Sequence, residues 1–127
     1  MNRVARIFLV LCAINGFLTV GLGAFGAHAL KGRISSELIE IFQTGVAYQG
    51  LHTVGLALVG LLLLKFPVNR WLTGSGILLV AGIALFSGSL YMLALTGYRG
   101  LGMVTPFGGI SFLAGWLALV MAILKEH

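Results

Sequence analysis

Four long apolar runs, none containing Asp, Glu, Lys or Arg, constrain this chain more than any other feature. They occupy residues 7–30, 45–64, 71–96 and 103–124. Each is close to or above the ~20 residues a helix needs to cross a hydrocarbon core. The runs predict an all-α fold: one transmembrane four-helix bundle, with no room for a second domain in residues 1–127. Only 9% of residues are charged and the mean hydropathy is +1.07. A soluble domain carries about 25% charged residues, so this chain could not coat a surface facing water. A formal charge of +5 would suggest nucleic acid only if the fold were ignored. Here the basic residues sit at helix ends, where they set topology and meet anionic headgroups. The bilayer is the first partner, and nucleic acid is set aside.

Cys12 is the only cysteine, which removes an intrachain disulfide or a Cys-rich metal site and leaves it a small packing residue. Arg3, Arg6, the first run and Ala27-His28-Ala29 imitate a secretory signal with a small-x-small cleavage site. The run outlasts the roughly 7–15-residue core of such a signal and carries Asn15 among patterned glycines. It reads as a retained first helix. With the N-terminus inside, Arg3, Arg6, Lys65, Arg70 and Lys125 fall on the inner side, and Lys31, Arg33 and Arg99 on the outer. The Lys/Arg rule then places both termini in the bacterial cytoplasm.

The longest connection follows the first run. Ser35 or Ser36 suits a helix cap with Glu37 in the first turn. Ile34, Leu38, Ile41, Phe42 and Gly45 recur at helical spacing opposite Glu37, Glu40, Gln43 and Thr44. This predicts a short amphipathic helix at the outer interface that bends or continues into the second span. Pro67 ends one helix before Trp71 begins the next, and Thr105-Pro106 suits the first turn of the last, where a missing N–H costs nothing.

Glycine spacing carries the packing. Cys12, Gly16, Thr19, Gly23 and Gly26 step along one face of the first run. Ser75, Gly82, Ser89 and Thr96 repeat every seven residues, with Gly74, Ala81 and Gly88 one position earlier. Gly108, Ser111, Gly115, Ala118 and Ala122 line the last run. In lipid, small residues let helices approach and packing supplies the attraction. A seven-residue seam predicts left-handed crossings at shallow angles, without a wide aqueous pore inside one copy.

Polar residues within the spans need an explanation. His28, Tyr48, Gln49, His52, Arg99 and Thr105 form the candidate ligand or ion set, since the predicted topology gathers them in the outer half of the bundle; Asn15 stands apart. Each also has a structural reading, as an interfacial ring, a helix cap or a cross-helix hydrogen bond. Two histidines with Glu37 or Glu40 lack metal-site spacing, so no metal is assigned. No nucleophile–base pair or phosphate-cradling loop is visible. Gly21-x-Gly23-x-x-Gly26 has the letters of a dinucleotide fingerprint inside an apolar helix, which is the wrong context. No cofactor is assigned.

Gly23-Ala24-Phe25-Gly26-Ala27-His28-Ala29-Leu30, Phe42-x-Thr44-Gly45-x-x-Tyr48-x-x-x-His52, Phe86-Ser87-Gly88-Ser89-Leu90-Tyr91 and Thr105-Pro106-x-Gly108-Gly109 also carry a resemblance. The chain resembles the YgdD/YwdK-like family of small bacterial membrane proteins over nearly its whole length. The resemblance implies a multi-pass inner-membrane protein and brings no activity with it. Two functions compete. One is a non-enzymatic accessory or scaffold protein that binds a membrane partner or lipid. The other is a small oligomeric transporter or channel for a solute, ion or proton, with Gln49 and His52 facing the bundle.

Overall fold

The computed structural model describes residues 1–125. Four helices account for most of them: α1 (Arg3–His28), α2 (Ser36–Lys65), α3 (Arg70–Thr96) and α4 (Thr105–Lys125), with a 3₁₀ turn at Arg99–Met103 leading into α4. All four spans are long and apolar enough to cross a membrane.

Local chemistry sets the helix ends. Asn2 accepts a hydrogen bond from the Ala5 N–H at 2.8 Å, so α1 begins before its apolar run does. The same side chain donates to the Leu63 carbonyl at 2.7 Å, tying the start of α1 to the end of α2. Ser35 caps α2 by accepting from the Leu38 N–H, and Glu37 sits in the first turn. Residues 36–44 do not form a helix of their own. They are the opening turns of a continuous 30-residue α2. At 1.5 Å per residue that helix is ~45 Å long, against ~30 Å of hydrocarbon, so α2 outlasts the core of a bilayer. Asn69 accepts from both the Trp71 and Leu72 N–H groups at the start of α3. Gly97, at φ +74, ends α3 in the left-handed conformation that glycine adopts without a Cβ penalty.

Two ends of the bundle carry the basic residues. At one, Asn2 meets Leu63, and both Arg70 and Lys125 lie over the Trp71 ring at 5.4 and 5.5 Å from its centre. At the other, Arg99 pairs with Glu37 at 2.7 Å. The residues assigned to opposite sides from the sequence therefore do lie at opposite ends.

The helices pair as α1 on α2 and α4 on α3, with α2 and α3 in contact between them. The predicted small-residue face of α1 meets α2. Gly16 faces Thr53 and Gly23 faces Val46, and a Cβ on Gly26 would lie 2.7 Å from the Phe42 ring. On α3, Ser75 is fully buried and donates to the Gly115 carbonyl. Gly82 lies under the Phe112 ring, and a Cβ on Gly115 would lie 2.9 Å from Leu79. Gly74 meets nothing, and Thr96 is exposed. Neither seam is thus a packing surface throughout. Leu56, Val59, Leu63, Leu72, Leu79 and Leu119 fill the core that these approaches leave.

One irregularity was not legible. Residues Ile83–Ser87 form a π turn inside α3, a widening that often marks functional positions. Gly108 of α4 packs on its backbone: a Cβ there would meet the Phe86 amide nitrogen and lie 2.7 Å from the Phe86 Cα. The Thr105 hydroxyl donates to Ser89 at 2.6 Å, because the Ser89 proton goes to the Phe86 carbonyl at 2.9 Å.

Backbone cannot swing aside as a side-chain tip can. Gly108→Ala should therefore force α3 and α4 apart and destabilise the protein by about 1–3 kcal/mol, the usual cost of overpacking. Gly74→Ala, which meets open space, should be neutral or slightly stabilising. Unfolding of both variants in detergent checks the pair; equal behaviour would contradict this packing.

Candidate functional site

The buried polar residues form two separate arrangements. The first is a chain of hydrogen bonds across three helices. Tyr91 of α3 donates to Gln49 Oε1 at 2.6 Å. Gln49 Nε2 of α2 donates to Asn15 Oδ1 at 2.8 Å, and Asn15 Nδ2 of α1 donates to the Leu11 carbonyl at 2.8 Å. Gln49 is 3% exposed and Asn15 9%. Both faces of the Gln49 amide are engaged, each with the partner its chemistry requires. Neighbouring hydroxyls add short bonds: Thr19 to the Asn15 carbonyl, Thr53 to the Gln49 carbonyl, and Ser87 to the Gly45 carbonyl. Such a set holds helices together in lipid.

The second arrangement is aromatic and centres on His52. Its Nδ1 lies 2.6 Å from the Tyr48 carbonyl. A carbonyl can only accept, so Nδ1 carries the proton, and in the neutral ring Nε2 presents a lone pair. Phe112 of α4 stacks on the imidazole, with ring centres 3.4 Å apart and 8° between planes. Trp116 and Tyr48 flank it at 5.7 and 6.1 Å. His52 is 2% exposed, and its Nε2 has no hydrogen-bond partner among the described residues. A groove of about 490 Å³ opens beside it between α2 and α4, lined by Tyr48, His52, Phe86, Pro106, Phe112 and Trp116 among others. The π turn places Phe86 on this groove while Ser87, the next residue, holds α2.

The six candidate residues therefore do not converge on one outer site. Gln49 belongs to the hydrogen-bond chain, and His52 and Tyr48 belong to the groove. Thr105 is one residue from the groove-lining Pro106 and bonds to Ser89. Arg99 is engaged with Glu37 in an exposed ion pair, with side chains 60% and 65% accessible, a class worth about 0–1 kcal/mol. His28 is exposed at the end of α1. The sequence reading left one member aside and missed another. Asn15 was set apart, although it is the one amide in its own uncharged run. Tyr91 was not singled out, although Ser87 and Tyr91 share one face of α3 and both reach α2. Among the described residues no three His, Cys, Asp or Glu side chains cluster as metal ligands.

Residues 22–109 match the model of a family described as proteins of unknown function, DUF423. A membrane protein of Bacillus subtilis, UPF0382 membrane protein YwdK, is 45% identical over 94% of this chain and 98% of its own length. The chain belongs to this family. UPF0382 inner membrane protein YgdD of Escherichia coli K12 is 43% identical over 95% of this chain and 92% of its own. UPF0382 membrane protein SERP0230 of Staphylococcus epidermidis is 46% identical over 94% and 97%. No solved structure matches. The matched DUF423 region contains Gln49, His52, Phe86 and Tyr91 but begins after Asn15.

Within this DUF423 chain, Tyr91→Phe removes one hydroxyl, keeps the ring and leaves Gln49 Oε1 without its donor. Unfolding should show a loss of about 0.6–2 kcal/mol, the range for hydrogen bonds between membrane helices. Gln49→Leu should cost at least as much, and the double variant should fall short of the sum because both remove the same bond. Full additivity would mean that the two side chains do not interact.

Proposed function

We propose that this DUF423 protein is a non-enzymatic accessory protein of the bacterial cytoplasmic membrane that binds a lipid or a membrane partner through the side of the bundle. One observation carries the reading. The amides in the spans satisfy one another, whereas the lone unpartnered nitrogen of His52 stands beside a groove on the flank of the bundle. A group presented sideways suits an occupant arriving from the bilayer rather than a solute passing through the protein. The same reading sets both termini in the cytoplasm, because five basic residues gather at that end against three at the other and Lys/Arg bias governs orientation. The opening turns of α2 then rise through the outer interface, and the small-residue seams cross left-handed.

The test is native mass spectrometry of the protein released gently from its own membrane, together with flux assays in proteoliposomes across about pH 5–8, where histidine titrates. The expected result is a recurrent lipid or protein adduct and no solute or proton flux above empty vesicles. A ligand-free homo-oligomer with a flux that His52→Ala abolishes would replace this reading with the oligomeric transporter or channel.

A further inference from the structure

We infer that the groove between α2 and α4 is a binding site for a membrane-soluble quinol, a planar ring with a hydroxyl donor, held by His52 Nε2. The inference rests on the binding reading above and names its ligand. Three features carry it. His52 is 2% exposed, yet Nε2 is unpartnered among the described residues while the residue lines the groove. A polar atom that opens on a nearly apolar groove without a partner favours an occupant that supplies a hydrogen bond there. Because Nδ1 gives its proton to the Tyr48 carbonyl, the neutral ring offers a lone pair at Nε2, so the complementary ligand atom is a donor.

The lining selects the rest of the ligand. Tyr48, Phe112 and Trp116 lie against the imidazole, and Phe86 packs on Tyr48 and Phe112 beside it. Offset or tilted contact between rings adds attraction beyond the area buried, which a planar aromatic ligand would gain here. The volume of about 490 Å³ falls in the ~300–1,000 Å³ range of small-molecule sites. Depth excludes the commonest donors. His52 lies seven residues inside the Gly45 end of its apolar run, roughly 10 Å at ~1.5 Å per residue. A phospholipid headgroup stays at the bilayer surface, whereas a quinol ring carries its hydroxyl into the hydrocarbon.

Fluorescence titration tests the site, because Trp116 lines the groove and Trp71 can be replaced by Phe to isolate it. In Trp71→Phe protein held in nanodiscs, a decyl-tailed benzoquinol should quench Trp116 saturably and appear as a one-to-one adduct in native mass spectra. Its di-O-methyl ether, which lacks the donor, should bind at least tenfold more weakly. His52→Phe keeps an aromatic ring in the stack and removes the acceptor; it should also lose at least tenfold while the circular dichroism and unfolding remain those of a folded bundle. Unsaturable quenching, equal binding of quinol and ether, or undiminished binding by folded His52→Phe would overturn the assignment. A phospholipid or a second copy of the chain found in the groove instead would also overturn it, yet would leave the accessory reading standing. Flux through a ligand-free oligomer would remove that reading too.

Discussion

Gln49 occupies the junction on which the arrangement of three helices depends. Its amide has one donating and one accepting end, and each is claimed by a different neighbour: Asn15 on α1 and Tyr91 on α3. In water such bonds would compete with solvent and contribute little net stability. In hydrocarbon the alternatives are other protein groups, so a complete set specifies which faces meet as well as adding stability. The apolar contacts around it could slide by a turn with modest loss. The amide pairings cannot, because a displaced Gln49 leaves three polar side chains to be desolvated without partners.

Close approach makes those short bonds attainable. A Cβ at Gly26 would strike the Phe42 ring, and one at Gly45 would lie 2.8 Å from the Tyr91 ring. Gly45 therefore lets Tyr91 lie flat against α2 and extend its hydroxyl to Gln49, one turn further along. The Gly45 carbonyl meanwhile receives the Ser87 hydroxyl at 2.7 Å. Small residues and polar residues are two parts of one device: the first bring backbones together, and the second bond across the gap.

Much of this was legible because lipid simplifies the code. Four uncharged runs indicated the number of helices, and Ser35 and Pro67 marked helix ends through familiar capping and breaking chemistry. The inward face of α2 was readable from the spacing of Gly45, Gln49 and His52. Partners were not readable, because a hydrogen bond between α1 and α2 joins residues 34 positions apart and periodicity reports only one helix at a time. Grouping residues by depth alone placed His28, Arg99 and His52 together, although their side chains lie on different faces and His28 is exposed. Whether the segment before the second run bends or continues into α2 stayed open for a related reason. The amphipathic pattern of residues 36–44 reflects a helix leaving the hydrocarbon, and the backbone carries straight through the change of surroundings.

The π turn was hidden because no residue type announces it, yet it explains how two unlike regions coexist beside α2. A regular helix would carry about one residue fewer through the same turn, and the widened turn at Ile83–Ser87 resets the faces that follow. Within it, Ser87 turns to the Gly45 carbonyl and Phe86 lies against Tyr48 with ring centres 4.5 Å apart. Gly108 closes on the Phe86 backbone from α4, so the turn is held from both sides. Consecutive residues thereby serve opposite needs. One fastens α3 to the helix that carries the saturated amide chain, and the other helps build the wall of the groove where His52 remains unsaturated. Selection on the groove would then act on Gly108 and the π turn as well as on the rings that line it.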